Sequence, residues 1–460
     1  MNLLRRPHPQ HAVFTLLVVA AITFASGLSR TEASASTTCT KVASPSGSDS
    51  ASGAPSAPYR TAQKLADSLS AGDTGCLRSG RYEQSVKISR GGRADARVYL
   101  RSYPGERVEV KGRFWIARGA DHVTVSGLKL DGTNSGRLPS PTVNANNASF
   151  ANNDVTNNHT SICFLLGSSS YGTAGSTLID RNRIHDCGKI PANNHEHGIY
   201  IEKATDAKIT NNLIYNNADR GIQLYPDAQR TRIIGNVIDG NGQGIIFSGA
   251  GRIASNDTTV EANVITNSKL RNNVEYHYPS GTPTGRRNYV RRNCISGGAR
   301  DDGDGGVSDE VGFSASDNLR ADPQFVNRAE RDFRLRAGSR CRRVLPDGGA
   351  RVAAASSRRP ELSLRSEQRS RRPGSIITLR GGVLGADASA KKRLAGRLVN
   401  IRFVSSNGKW RIGRHARLRA DGRFAQSIRL STSQRPRTVR LRADLPRGRW
   451  SPVVRVAVRP

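Results

Sequence analysis

The sequence predicts an all-β protein: a right-handed parallel β-helix (a solenoid) followed by a small β-sandwich. A short unit recurs between residues 150 and 300, and its apolar residues do not follow the helical period. Glycine is abundant, at 46 of 460 residues, whereas aromatic residues make up only 5% of the chain. This composition favours many short strands and tight turns over a helical globule.

Two sequence frames define the repeat. A glycine followed by an apolar strand recurs at intervals of 23 residues, in Gly198–Ile201, Gly221–Leu224 and Gly244–Phe247. In the second frame an asparagine is followed two residues later by an aliphatic residue; it starts at Asn153, Asn182, Asn212, Asn236, Asn263 and Asn293. A unit this short cannot bury its own apolar face, so successive coils must stack on one another.

Stacked coils place specific demands on the side chains. Ile199, Ile222 and Ile245 should lie one above another in the interior, and the asparagines should stack in tight bends, where their side chains bond the backbone. Eight to ten coils would make a rod of roughly 40 Å. Ankyrin, TPR and HEAT repeats are excluded because the helical period is missing, and leucine-rich repeats because their leucine pattern is missing.

The segments that flank the repeat point to capped ends. Residues 59–69 carry apolar residues at helical spacing, which predicts a short amphipathic helix over the N-terminal end of the core. Turn-rich segments, Gly72–Cys76 and Gly80–Tyr82, follow the helix, and Asp322–Phe325 and Asp332–Leu335 close the repeat. In these features residues 39–345 resemble the pectin-lyase-like superfamily of secreted right-handed β-helix proteins. The resemblance implies the fold but no single activity, because that superfamily includes lyases, hydrolases, epimerases and non-catalytic proteins.

The chain divides into four predicted segments. These are a signal peptide (1–35), the β-helix with its cap helix (36–345), a linker (346–360) and a basic immunoglobulin-like or fibronectin-like β-sandwich (361–460). Arg5 and Arg6, the apolar stretch 12–28 and the small residues that end at Ala35 are typical of an export signal with cleavage after Ala35. The alternative is a membrane anchor. Cleavage predicts a secreted, extracellular protein without further membrane contact.

Six cysteines in an oxidising compartment predict three disulfides, because they form no zinc-like cluster with histidines. The sequence does not choose among the pairings that six cysteines allow. We expect neighbours in sequence to pair, which joins Cys39 to Cys76, Cys163 to Cys187 and Cys294 to Cys341.

Positive charge is concentrated in the tail. The net charge is +34, and residues 351–460 hold 28 Lys and Arg against 5 Asp and Glu. Such a balance predicts a polyanionic partner, here an acidic polysaccharide or an anionic cell-wall polymer, although a merely solvated arginine-rich face is the alternative. The shortage of aromatic residues and the export signal argue against nucleic acid. We expect a monomer.

The outer face of one stacked sheet can form a groove with two outward columns of side chains. Alignment on the inward aliphatic residues predicts a first column of Cys163, Tyr200, Gln223, Ile246 and Glu275, and a second of Leu165, Glu202, Tyr225, Ser248 and His277. His195, Glu196, His197, Asp219 and Arg220 precede the strands, and Lys203 follows one. This is the richest titratable cluster of the repeat.

These residue types suit β-elimination of a uronate, which needs a cation for the carboxylate, a base for the adjacent proton and an acid for the leaving oxygen. Arg220 or Lys203 can supply the cation or the base. His197 or His277 can act as base or acid, and Tyr225 can protonate the leaving oxygen. The candidate substrate-binding residues are then Tyr200, Gln223, Glu275 and His195.

Two other chemistries compete with this one. A hydrolase would use two carboxylates across the groove, for which Glu202 and Glu275 are the candidates. A calcium-assisted lyase would need clustered oxygen ligands, which Glu196, Glu202 and Asp219 can contribute; calcium is the one cofactor that the sequence leaves open. An acidic loop carries Asp301, Asp302, Asp304, Asp309 and Glu310, but its spacing misses the calcium-loop pattern, so no metal site is predicted.

The leading hypothesis is a secreted carbohydrate-active protein that acts on or binds an acidic polysaccharide, with lyase-type β-elimination as its reaction if it is an enzyme. No clear signature block of the well-studied pectate-lyase families is present, which weighs against catalysis. The alternative is a non-catalytic extracellular binding or surface-structural protein that the basic tail anchors to anionic wall polymers.

Overall fold

The computed structural model describes residues 38–349 and, further along the chain, 361–366, 370–384, 395–404, 410–430, 437–445, 449–450 and 454–458. The predicted signal peptide, 1–35, lies outside the described residues, as does 350–360 of the predicted linker. Within the described part of the chain, no helix is both long enough and apolar enough to cross a membrane.

Residues 41–320 wind into a solenoid with three parallel sheets. Sheet A contains Lys41–Ala43, Thr74–Leu77, Val98–Ser102, Val123–Ser126, Ser149–Ala151, Leu178–Asp180, Lys208–Thr210, Arg232–Ile234, Thr259–Glu261, Tyr289–Arg291 and Ser314–Ser316. Sheet B contains Val86–Ile88, Phe114–Ile116, Thr142–Val143, Phe164–Leu166, Ala174–Gly175, Ile199–Thr205, Arg220–Gln229, Gln243–Ala250, Ile253–Ala254 and Val274–His277; of these only Ile253–Ala254 pairs antiparallel. Sheet C contains Gly80–Tyr82, Val108–Lys111, Lys129–Asp131, Asp154–Thr156, Arg183–His185, Leu213–Tyr215, Val237–Asp239, Val264–Ser268, Cys294–Gly298 and Leu319–Arg320.

The register of sheet B confirms the stacking that the glycine frame predicts. Ile199 pairs with Ile222, and Ile222 pairs with Ile245. All three side chains are fully buried in one continuous core. The 23-residue interval is therefore one complete coil of the solenoid.

The asparagine frame forms a ladder inside the bend between sheets A and C. The side-chain oxygen of Asn236 accepts the backbone N–H of Asn212 at 2.9 Å, and Asn236 donates its own N–H to the side-chain oxygen of Asn263 at 2.8 Å. The same bonds run without interruption through Asn153, Asn182, Asn212, Asn236, Asn263, Asn293 and Asn318. Because the bend leaves backbone donors unpaired, the ladder supplies their acceptors. The structural role predicted for these residues is confirmed.

A short helix covers the N-terminal end of the solenoid core. The N-terminal helix spans Ala62–Ser68, within the predicted 59–69, and the Thr61 side chain caps it by accepting the Lys64 N–H. Its buried residues, Ala62, Leu65 and Ala66, join the solenoid core. A cap of this kind keeps the open edge of the first coils from water.

The closing segment packs on the outside of sheet C. Its hairpin, Phe325–Asn327 with Asp332–Leu335, shares a second apolar cluster with Tyr215. Arg328 donates to both carboxylate oxygens of the buried Asp239, at 3.0 and 2.8 Å. Short 3-10 helices lie at Gly132–Asn134, Arg340–Arg343 and Pro346–Gly349.

All six cysteines are paired. The disulfides are Cys39–Cys76, Cys163–Cys187 and Cys294–Cys341, which are the pairs expected above. The last of them fastens the closing segment to sheet C.

The described residues after position 360 form two sheets with one apolar core. Sheet D contains Glu361–Ser366, Ile376–Leu384 and Arg423–Arg429. Sheet E contains Ser370–Arg371, Leu398–Val404, Trp410–Arg417, Arg437–Leu445, Arg449–Trp450 and Val454–Val458. Leu379 and Phe424 of sheet D and Ile401 of sheet E contribute to the core. The small β-sandwich is therefore present, whereas its immunoglobulin-like class stays a prediction.

Candidate functional site

The outward columns of sheet B are largely as the sequence predicts, with one correction. Leu165 pairs with Tyr200, so Leu165 and not Cys163 belongs to the first column. Cys163 is buried in the disulfide with Cys187. The error arises because residues 162–166 are all apolar, so that inward and outward positions cannot be told apart by alternation.

A third column lies at the corner where each coil enters sheet B. His197, Arg220 and Gln243 occupy it, one residue before Gly198, Gly221 and Gly244, and Arg220 pairs with Gln243. A Cβ atom on Gly198 would lie 2.7 Å from the Asn217 side-chain nitrogen, so the chain comes too close to its neighbours there for a side chain.

The side chains of this column are almost completely buried. His197 is 2% exposed, Arg220 4% and Gln243 4%. The Nδ1 atom of His197, the Nε atom of Arg220 and the Oε1 atom of Gln243 are buried without a hydrogen-bond partner. Three unpartnered polar atoms in consecutive coils are unusual, since buried polar groups are normally satisfied, and they mark the column as a functional candidate.

Burial and neighbouring charge tune the two titratable members of the column. Burial lowers the pKa of His197 well below its usual range, and the Arg220 guanidinium lowers it further. Burial also lowers the pKa of Arg220. The imidazole is therefore neutral near neutral pH, whereas arginine keeps its charge in proteins.

A loop that precedes Gly198 covers this column. Arg220 donates to the backbone oxygen of Asn194 at 2.7 Å and also to its side-chain oxygen. The buried Asp219 carboxylate accepts the N–H groups of Asn194 at 2.9 Å and of Glu196 at 2.8 Å. Asp219 thus fixes the loop, and Asn194 presents two oxygen acceptors to the guanidinium.

The first two columns place a pair of tyrosines beside the buried corner. The Tyr200 and Tyr225 rings stack at 6.4 Å, and the His197 ring meets Tyr200 edge-on at 5.6 Å. Burial raises the pKa of Tyr200, so its hydroxyl stays protonated. Gln223 accepts from Arg220 at 3.3 Å. The structure therefore brings together five of the predicted site residues, His197, Tyr200, Arg220, Gln223 and Tyr225.

Glu202 and Lys203 lie at the end of the same strand. Glu202 accepts the Ser169 N–H at 3.1 Å. Glu202 and Lys203 are both half-buried. Lys203 pairs in register with Asp227 of the next coil. They flank the tyrosine pair and do not enter the buried corner.

Glu275 and His277 lie apart from this group, and His195 lies in the loop that covers the buried column. The coil of Glu275 and His277 stands three coils beyond that of Glu202, which is about 14 Å at the usual strand spacing. Glu275 is 2% exposed and paired with Arg271 at 2.9 Å. His195 is an exposed loop residue, and His277 is exposed at a strand end.

The strand spacing weighs against the hydrolase alternative. A hydrolase holds its two carboxylates about 5 to 9.5 Å apart. The strands that carry Glu202 and Glu275 lie about 14 Å apart, and each carboxylate is engaged by another group.

The carboxylates proposed for calcium do not converge either. Asp219 bonds the loop backbone, Glu196 pairs with Lys189 at 3.3 Å, and Glu202 bonds Ser169. Within the described residues, no group of three or more His, Cys, Asp or Glu side chains is placed to hold a metal ion.

The acidic loop lines a cleft of about 520 Å³ together with Glu275 and His277. Its carboxylates hold the loop itself: Asp301 accepts the Gly305 N–H at 2.9 Å, and Asp304 accepts the Gly306 N–H at 2.5 Å. This bonding gives the acidic residues a structural role.

Two residues of the buried corner were missed in the sequence. Gln243 continues the column of His197 and Arg220, and the same 23-residue interval that reveals the coils would have revealed it. No sequence signal predicts Asn194, because its contact with Arg220 depends on the conformation of an irregular loop.

Comparison with known proteins supports the fold. The sequence matches the family model of the right-handed beta-helix region over residues 142–313, which agrees with the predicted right-handed solenoid. No curated protein matches the chain.

Several solved structures are similar at low identity. A pectate lyase is 16% identical, with a TM-score of 0.47, and the match covers 65% of this chain and 90% of that chain. A rhamnogalacturonan lyase is 15% identical, with a TM-score of 0.46 and coverage of 67% and 95%. An alginate lyase from a Paenibacillus species is 15% identical, with a TM-score of 0.36 and coverage of 56% and 91%. Substrate and chemistry must therefore be argued from the residues of this chain.

Proposed function

We propose that the protein acts on an acidic polysaccharide by β-elimination at the corner formed by His197, Arg220 and Tyr225. The observation that carries the proposal is the buried column of His197, Arg220 and Gln243, whose unpartnered polar atoms lie beside the stacked tyrosines. A permanent cation next to a neutral base and a phenol supplies the three groups that the reaction needs.

Each residue takes one role. Arg220 neutralises the uronate carboxylate, whose two oxygens replace those of Asn194 on the guanidinium. Neutral His197 removes the proton from the carbon next to the carboxylate. The electron pair forms the carbon–carbon double bond as the glycosidic bond breaks, and the leaving oxygen takes a proton from the Tyr225 hydroxyl. Tyr200 and Tyr225 offer their rings to the sugars.

A second function is favoured by the distribution of charge. In the described conformation Asn194 occupies Arg220, and His197 is nearly inaccessible. Residues 351–460 carry a net charge of +23. A non-catalytic extracellular protein that binds an anionic polymer through its basic tail would use this charge and leave the corner closed.

One experiment separates the two functions. The full chain is incubated with pectate, alginate and glycosaminoglycans, with and without Ca²⁺, and unsaturated products are followed by ultraviolet absorbance while binding is measured in parallel. If the protein catalyses elimination, unsaturated product should form, and Arg220→Gln should lower the rate of product formation at least about a hundredfold. Arg232→Gln, an exposed charge on sheet A, serves as the control.

Binding without product supports the second function. If no polysaccharide of the panel gives either product or binding, both functions are contradicted.

A further inference from the structure

A second cluster lies on the same face of sheet B as the tyrosine pair. Trp115 pairs with Thr142, Thr142 with Leu165, and Leu165 with Tyr200. Trp115 and Tyr200 therefore belong to one outward column, three strand spacings or about 14 Å apart.

Cations surround the indole. The Lys87 amine lies 4.8 Å and the Arg113 guanidinium 4.7 Å from the centre of the Trp115 ring system. Tyr171, 56% exposed, meets the indole edge-on at 5.8 Å, and the Arg118 side chain packs beside Gly172. These five residues, Lys87, Arg113, Trp115, Arg118 and Tyr171, are called the Trp115 patch below.

The patch is fixed from beneath by a buried polar side chain. Asn144 is 1% exposed, accepts the Trp115 indole N–H at 2.8 Å and donates to the Gly172 oxygen at 2.7 Å. The loop that ends at Gly172 also donates the Ser169 N–H to Glu202. This loop therefore ties the Trp115 patch to the strand that carries Tyr200.

The positive charge of the patch has no carboxylate partner within the described part of the chain. Among the described residues, none forms an ion pair with Lys87, Arg113 or Arg118, and the buried Nε of Arg113 has no hydrogen-bond partner. Several arginines elsewhere on the solenoid are paired along the coils, as in Arg230 with Asp206 at 2.9 Å. Lys87 and Arg113, which share one indole and have no carboxylate partner among the described residues, fit an anionic ligand.

We propose that the Trp115 patch is a remote subsite for the acidic polysaccharide, and that it binds carboxylates of the chain whose other end lies on Tyr200 and Tyr225. This inference rests on the proposed acidic polysaccharide substrate. A pyranose unit is about as long as one strand spacing, so a chain that reaches both sites needs about four sugars. The subsite selects for length because shorter chains reach only one of the two sites.

The test compares ligands of two lengths. Binding of oligogalacturonates and oligoalginates, as disaccharides and as octasaccharides, is measured by calorimetry for the full chain and for Lys87→Gln/Arg113→Gln. Loss of two charge contacts should weaken octasaccharide binding about tenfold and leave disaccharide binding unchanged within about twofold. The control, Lys208→Gln/Arg232→Gln, removes two exposed charges from neighbouring strands of sheet A and should change neither affinity.

The outcomes separate this inference from the proposed function. Octasaccharide binding that is unchanged, or that falls equally for both lengths, overturns the subsite while the polysaccharide substrate stands. A wild-type chain that binds neither length overturns the substrate and the subsite together. The single variant Lys87→Gln changes an exposed side chain and cannot perturb the core. It should also weaken octasaccharide binding more than disaccharide binding, but by less than the double variant does.

Discussion

Replacement of Asn236 by alanine should measure what the asparagine ladder contributes to the solenoid. Asn236 is fully buried, and its side chain bonds three residues that belong to the two neighbouring coils. Its oxygen accepts the Asn212 N–H at 2.9 Å, and its nitrogen donates to the Ile209 oxygen at 2.8 Å and to the Asn263 side chain at 2.9 Å. Alanine at this position, just before the strand Val237–Asp239, removes these bonds and leaves the backbone path unchanged.

The size of the effect follows from the groups left behind. The orphaned Asn212 N–H should cost about 1–3 kcal/mol, and the two lost donations about 1 kcal/mol each, so the free energy of unfolding should fall by about 3–5 kcal/mol. Asn236→Asp keeps the acceptor for Asn212 but faces the oxygens of Ile209 and Asn263 with a carboxylate. It should therefore destabilise at least as strongly above the pKa of that carboxyl group.

Urea unfolding of the full chain, followed by far-ultraviolet circular dichroism, measures the change. The midpoint should drop with an unchanged slope. Asn134→Ala, at an exposed residue of the Gly132–Asn134 turn, should change the free energy by less than about 0.5 kcal/mol. Equal effects of the two alanine variants would refute the argument that the ladder satisfies otherwise unpaired backbone donors.

Two further predictions concern the buried corner and the closing segment. Because burial lowers the pKa of His197 in the folded chain, the unfolded chain binds the extra proton below about pH 6.5, so folding should lose up to about 1.4 kcal/mol per pH unit there. Urea unfolding at pH 7.5 and pH 5.5 measures how much the free energy of unfolding falls between the two pH values. This fall should be smaller in His197→Gln than in the wild type, but unchanged in His277→Gln, whose side chain is exposed. Arg328→Gln leaves the buried Asp239 carboxylate without its cation, which should lower the free energy of unfolding by about 2 kcal/mol, against a negligible change for the exposed Arg336→Gln. Hydrogen exchange at residues 325–335 should rise in Arg328→Gln, and unchanged exchange there would mean that the ion pair does not hold the hairpin.

Much of the solenoid could be predicted because a repeat constrains every coil in the same way. The glycine interval correctly placed Ile199, Ile222 and Ile245 in one ladder, and the asparagine frame correctly placed the bend. Both patterns report on the interior, where a single misplaced polar or bulky residue would prevent stacking. Prediction failed at Cys163 and Leu165, where a continuous apolar run carries no alternation.

The candidate site was less predictable because it depends on segments that do not repeat. The tyrosines and the corner column were found because they keep the coil interval. Asn194 was not found, since its bonds to Arg220 arise from an irregular loop that Asp219 holds. Glu275 was assigned to the right column but reaches the corner only through its charge, because Arg271 pairs with it and two coils separate it from Arg220.

The coil spacing limits which residues can share one reaction. Neighbouring coils are about 4.8 Å apart, so groups that act on one sugar must come from the same coil or the next. His197, Tyr200, Arg220 and Tyr225 meet this condition, because their coils are adjacent in sheet B. Lys87 and Trp115 do not, and at four and three coils from Tyr200 they can touch the same ligand only if it is a polymer. The same regular spacing that builds the core therefore separates residues suited to chemistry from residues suited to holding a long chain.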